Sequence, residues 1–158
     1  MSTSVEAVVV DRGSDDHVEA AWELKERIRQ NEGVLRQRRG FFVDAYRRSK
    51  VHCYLDRTRS SPVVGFAVVR RDGYVLFLAV APEYRGHGFG RRLVARVADD
   101  HGEVNCHVRA TNRSALEFYE EVGFEVERRI DSYYEDGGDA YYLTLPDDGL
   151  AGRLGHLF

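Results

Sequence analysis

Residues 75–81, Val-Leu-Phe-Leu-Ala-Val-Ala, form an unbroken apolar run that stops at Pro82 and is followed by Arg85-Gly-His-Gly-Phe-Gly90. Beyond it, Phe89, Leu93, Val94, Val97 and Ala98 recur at helical spacing, so a strand passes through a glycine-rich turn into an amphipathic helix. Apolar residues at every position predict a strand covered on both faces, and the run is far too short to span a bilayer. Glycines let a backbone adopt positive φ and approach a ligand with no Cβ between them. The first amides of a helix lack intrahelical partners and point outward at the positive end of its dipole, which makes such a turn an anion site. Arg85, Arg91 and Arg92 flank it and add charge suited to a multiply phosphorylated ligand.

The rest of the chain divides on the same cues. Val5–Val10 is rich in β-branched residues and reads as a strand; Ser14, Asp15 and Asp16 offer N-caps to a helix carrying Ala21, Leu24 and Ile28. A second helical stretch, residues 34–49, holds Arg36, Arg38, Arg39, Arg47 and Arg48 and is interrupted by Gly40. Residues 51–55 and 62–70 read as strands, and Asp72-Gly73 predicts a two-residue type I′ turn into a strand over 74–80. In residues 103–109, alternation puts Val104, Cys106 and Val108 on one face and Asn105, His107 and Arg109 on the other. Asn112 can cap a helix that carries Ala115, Phe118, Tyr119 and Val122 and closes at Gly123. Residues 124–134 and 140–145 make a final hairpin. The order β-α-α-β-β-β-α-β-α-β-β predicts an α/β chain, a mixed sheet covered by helices, with one domain over residues 1–146 and a tail over 147–158.

Composition excludes several classes. The chain has 158 residues, 43% hydrophobic and 31% charged, with a formal net charge of −3. That balance speaks against nucleic acid or a membrane surface as partner, even though 21 of the 23 basic residues are arginine. The N-terminus has no signal-peptide pattern, so a soluble, cytoplasmic protein is expected, as a monomer or homodimer. Cys53 and Cys106 form no CxxC, and the histidines show no ligand spacing, so no metal is expected. A phosphate-binding lysine loop is ruled out because the turn holds no lysine. A dinucleotide fingerprint fails because the glycines run G-x-G-x-G with no acidic residue at the end of a following strand.

The segment Ala79-Val-Ala-Pro-Glu-Tyr-Arg-Gly-His-Gly-Phe-Gly90 resembles the acetyl-CoA loop of the GNAT acetyltransferase superfamily, R/Q-x-x-G-x-G/A after a strand. The element order is similar to that fold along nearly the whole chain. The resemblance implies that Arg85, Gly86, His87, Gly88, Phe89 and Gly90 cradle the pyrophosphate of acetyl-CoA. It also implies that the edge of Leu78, Ala79 and Val80 pairs with the pantetheine arm.

A second, narrower resemblance rests on His107-Val-Arg-Ala-Thr-Asn112, Phe118-Tyr119, Gly123-Phe124 and Tyr133-Tyr134. These are similar to the N-terminal protein acetyltransferases, including the ribosomal-protein-alanine type. The resemblance implies that Asn112 bonds the pantetheine, that Tyr119 contacts the cosubstrate and protonates the departing thiolate, and that Tyr133 and Tyr134 line the acceptor groove. An N-terminal ammonium, with a pKa of about 7.7–8.0, must lose a proton before it attacks a thioester, and an imidazole near 6.5 suits that task. His107 stands where the ribosomal-protein branch carries Glu. It is similar instead to the eukaryotic enzymes for Met-initiated termini, where a strand-start tyrosine, here Tyr74, shares base duty through water. Both branches carry a Phe-Pro-hydrophobic segment between the first two helices, whereas this chain reads Asn31-Glu-Gly-Val-Leu-Arg36. The expected activity is direct transfer of acetyl to a protein N-terminal α-amine, without an acyl-enzyme. A small-molecule amine, a lysine side chain, or a non-catalytic acetyl-CoA sensor are the alternatives, and the arginine-rich second helix suits an acidic peptide or a small anion.

Overall fold

The computed structural model describes residues 4–146; the expected tail over 147–158 lies outside the described residues. Its order is β1 (Val5–Val10), α1 (Val18–Glu32), α2 (Arg39–Arg48), β2 (Lys50–Asp56), β3 (Val63–Val69), β4 (Val75–Val80), α3 (Phe89–His101), β5 (Val104–Arg109), α4 (Arg113–Val122), β6 (Glu125–Ile130) and β7 (Ala140–Leu145). That is the predicted sequence of elements. β1 to β4 form an antiparallel meander, and β5, β7 and β6 a second antiparallel sheet in that spatial order. One parallel bridge, Tyr74 to Asn105, joins them and makes the whole arrangement mixed. Among the described residues no helix is long and apolar enough to cross a membrane.

Two cores sit on opposite faces of the first sheet. On one, α1 and α2 bury Leu24, Ile28, Phe42 and Tyr46 against Phe66, Phe77 and Ala79. Phe42 is its hub, 5.0 Å from Phe77 and 5.8 Å from Phe66 between ring centroids. Truncating a ring so enclosed costs about 3–5 kcal/mol. On the other, α3 and α4 bury Leu93, Val97, Tyr119 and Val122 against Val64, Ala67 and Cys106. β3 is therefore buried at all seven positions.

Several expectations are corrected. The strand covered on both faces is β3: in β4, Leu76, Leu78 and Val80 are only half-buried. The register steps from Val68↔Phe77 to Val69↔Val75, which leaves Leu76 as the extra residue of a β-bulge. Such a bulge bends its strand and accentuates twist, and this one lies where β4 parts from β5. The Asp72-Gly73 turn is not type I′, since only Gly73 has positive φ. Gly73 N–H donates to the Arg70 carbonyl at 3.0 Å and Arg70 N–H to the Tyr74 carbonyl at 2.9 Å, so the turn carries one left-handed residue. A side chain at Gly73 would strike the Glu103 carbonyl, whatever the turn type. The N-cap of α1 is His17 in a left-handed conformation with no side-chain cap bond, so Ser14, Asp15 and Asp16 do not cap it; the Ser14 hydroxyl accepts from Asp16 N–H instead. The second helix starts at Arg39, with Gly40 in its first turn, and residues 34–38 are a loop. That loop is fixed by Lys25, fully buried on α1, which donates to the Gln37 carbonyl and to Glu26. The final hairpin is shorter than expected: β6 ends at Ile130, so Tyr133 and Tyr134 belong to the loop before β7.

Candidate active site

The glycine turn forms as the sequence requires. Gly86 and Gly88 have φ of 82° and 84°, and a Cβ on either would meet nothing within 4 Å, so both face open space. Gly88 is the N-cap of α3, and the first intrahelical bond runs from Arg92 N–H to its carbonyl at 3.0 Å, leaving the preceding amides free for a ligand. Gly90 has a different reason: its Cβ would lie 2.9 Å from the Phe118 ring, so glycine here lets α3 and α4 meet. His87 is exposed and Phe89 buried. The flanking arginines have partners within the fold. Arg85 pairs with Glu32 of α1 at 2.8 Å and donates to the Val80 carbonyl at 3.1 Å, bracing the turn. Arg91 pairs with Glu121 of α4, and Arg92 lies over the Phe89 ring. Exposed pairs of this kind contribute about 0–1 kcal/mol, so an incoming phosphate competes with them on favourable terms.

β4 and β5 touch at one bridge and then separate. Leu78, Ala79 and Val80 lie along that parting edge, Ala79 buried and the other two half-buried. On α4, Asn112 caps the helix through its Oδ1, which accepts from Ala115 N–H at 3.2 Å. Tyr119 is buried among Phe118, Phe124 and Cys106, its phenol held well above its usual pKa, first by burial and then by the Cys106 thiol. Cys106 is itself pushed up to about 12 by burial and faces away from His107, so it stays a neutral thiol.

Where the two sheets join, the Tyr74 hydroxyl meets His107 Nδ1 at 2.6 Å. The imidazole is stacked on Tyr133 at 4.4 Å and 11°, and lies 5.0 Å from the Tyr142 ring. Tyr134 meets Tyr133 edge-on at 5.0 Å. His107 is held below its usual pKa, chiefly by desolvation, then by the Arg128 and Arg70 guanidiniums. Tyr74 is raised, mainly by burial and then by Tyr133, so it remains a neutral phenol. The structure thus brings Tyr74, His107, Tyr133 and Tyr134 into one cluster. Tyr119, on α4, packs from the opposite face of β5, and Asn112 caps that helix. Sequence reasoning missed Tyr142, which the β5–β7 register places directly opposite His107, and the cations Arg70 and Arg128. Alternation along β7 puts Ala140, Tyr142 and Thr144 on one face, but only the register says which neighbour each meets.

The arrangement offers an anion cradle, a parting between two strands and an uncharged imidazole beside a neutral phenol. Those are parts for accepting a proton next to a bound nucleotide. An N-alpha-acetyltransferase 30 of Homo sapiens is 42% identical over 80 residues, covering 48% of this chain and 22% of that protein. An N-alpha-acetyltransferase 30 of Saccharomyces cerevisiae is 39% identical over 83 residues, covering 49% of this chain and 47% of that one. The alignment thus spans less than half of each relative's own length. The crystal structure of the ribosomal-protein-alanine N-acetyltransferase of Escherichia coli shares the fold, with a TM-score of 0.68 at 23% identity over 89% of this chain and 94% of that one. Residues 11–124 match the model of the acetyltransferase (GNAT) family, and the chain belongs to that family.

Proposed function

We propose that the protein transfers the acetyl group of acetyl-CoA to a primary amine, specifically a protein N-terminal α-amine, by direct attack in a ternary complex. The observation that carries this reading is the 2.6 Å contact between Tyr74 and His107 at the point where β4 and β5 part. The names of the human and yeast relatives support the choice of amine.

The open space before Gly86 and Gly88 fits a pyrophosphate, held by the turn's amides from residue 86 onward. The edge at Leu78, Ala79 and Val80 receives the pantetheine amides as an added strand, and Asn112, its Oδ1 already capping α4, donates its Nδ2–H to the same arm. His107 is uncharged at neutral pH because burial and two guanidiniums oppose the imidazolium. With its Nδ1–H donated to Tyr74, its Nε2 lone pair takes the proton of the incoming ammonium, directly or through one water. The C–N bond then forms at the thioester carbonyl and the C–S bond breaks. Tyr119 donates its proton to the departing sulfur and is refilled by the second proton that the new C–N nitrogen gives up, and His107 releases the first one, so the sum is an amide, a free thiol and one released proton. A phenol raised by burial is protonated at every working pH, as this role requires. Tyr133 and Tyr134 form the wall against which the first residues of the acceptor lie.

The test incubates the full chain with acetyl-CoA and a panel of N-terminal peptides, lysine peptides and small amines, with mass spectrometry locating the acetyl group. Acetylation of α-amines is expected. Robust acetylation of a small amine or a lysine side chain with none at α-amines would reject the acceptor. Tight binding of coenzyme A without turnover on any amine would reject catalysis.

A further inference from the structure

The whole chain carries −3, yet the two cavities flanking the His107 pair carry the opposite sign. One, of about 350 Å³, is lined by Arg36, Arg109 and Arg129 against Asp136 and Asp139. The other, of about 530 Å³, has Arg48, Arg70 and Arg71 against Asp44 and Asp72. Each holds three guanidiniums to two carboxylates. Both adjoin the reacting end: Arg109 lies 4.0 Å over the Tyr134 ring, and Arg70 lies 4.5 Å over the Tyr74 ring.

The first cavity already holds one of the chain's own carboxylates. The carboxylate of Asp136 sits within it, accepting from Arg109 Nη1 at 3.0 Å through each oxygen, from Arg36 Nη1 at 3.3 Å and from Gly138 N–H at 2.9 Å. Arg109 is part of the scaffold, packed so closely that a side chain at Gly138 would collide with it. Arg36 is different. It reaches across from the loop between α1 and α2, is 59% exposed, and its pairing with Asp136 is the longest bond of the set. Its backbone is nonetheless held in place: Leu35 adopts a φ of 55°, Arg36 Nε donates to the Gly33 carbonyl, and buried Lys25 fixes the carbonyl of Gln37. A leucine at positive φ costs about 1 kcal/mol or more and persists only where its surroundings demand it.

We propose that Arg36 and Arg109 form a subsite for a carboxylate carried by the acceptor close behind its amine, with Asp136 occupying the place until the acceptor arrives; this rests on the transferase reading above. His107 and Arg109 lie two residues apart on one face of β5, about 7 Å along the strand, which an extended peptide covers in two residues. The favoured acceptor is a protein N-terminus with an acidic side chain at its second or third residue.

The test titrates amidated heptapeptides with free α-amines into the full chain saturated with coenzyme A, followed by calorimetry. The peptides differ only in Asp or Asn at residues two and three, and free alanine is a third arm. Binding of the Asp peptide about fivefold tighter than the Asn peptide is expected, shrinking in 0.5 M salt. Arg36→Glu should reverse the preference, and Asp136→Asn should enlarge it by removing the competitor. Equal affinity for the two peptides in the native chain and in both variants would overturn the subsite. Alanine binding tighter than either peptide, and lost in Arg36→Glu, would keep the carboxylate but overturn the peptide as its source. Binding is read without turnover. An Asp preference without acetylation of any amine therefore strikes the transferase reading alone, and acetylation of both peptides with equal KM strikes this inference alone.

Discussion

Replacing Tyr74 by Phe deletes one hydroxyl from the aromatic cluster and leaves the ring, with its burial against Arg70 and His107, in place. What is lost is the 2.6 Å contact to His107 Nδ1. A neutral hydrogen bond contributes about 0.5–1.5 kcal/mol net, so the imidazole's orientation weakens by about two- to tenfold in kcat/KM. Replacing His107 by Gln removes the proposed base, an effect of about 10²–10⁴. In the proposed mechanism Tyr74 acts through His107, so the double variant should be no slower than His107→Gln alone. The pH dependence gives an independent check. In kcat/KM the acid limb contains two groups: the free amine near 7.7–8.0 and His107 below its ordinary value of about 6.5. Arg128→Gln removes a cation that opposes the imidazolium, so the His107 midpoint should rise in that variant, as followed by its ring proton resonances. Steady-state rates with an N-terminal peptide give the rest. Multiplicative losses in the double variant, or a His107→Gln rate within threefold of native, would refute the coupled base.

Tyr119→Phe should lower kcat at least tenfold while calorimetry shows coenzyme A binding within twofold, since the hydroxyl interacts with the Cys106 thiol and is the proposed proton donor to the leaving sulfur. Gly88→Ala meets no atom within 4 Å but must hold a φ of 84°. Thermal melting should show about 1–2 kcal/mol lost, and coenzyme A affinity should fall with it. His52 is 4% exposed, lacks a hydrogen-bond partner on either ring nitrogen and is lowered to about 4 by burial, despite Asp100 at 3.6 Å. The folded protein therefore binds fewer protons than the unfolded chain between about pH 6.5 and 4, and stability falls as pH drops through that window, by up to about 3 kcal/mol. Denaturant melts of His52→Leu should show that acid limb flattened; an unchanged limb would place the acid sensitivity elsewhere.

Local chemistry fixed the order of elements, the glycine turn, the Asn112 cap and the two faces of β5, because each depends on residues within a few positions of one another. Phe89, Leu93, Val94, Val97 and Ala98 are all buried, as their spacing demanded, since a helix has one core-facing stripe. The start of the second helix departs from its local pattern because a distant group intervenes: buried Lys25 holds the Gln37 carbonyl, and residue 37 stays out of helix. Placement of the site belongs to the tertiary structure. The bulge at Leu76, the single bridge from Tyr74 to Asn105 and the register of His107 with Tyr142 are pairings between segments far apart in the chain. The same holds for charge. Composition gives a mildly acidic protein, and only the fold brings Arg36, Arg109 and Asp136 together, because two loops and the end of β5, joined by no local pattern, meet at one cavity.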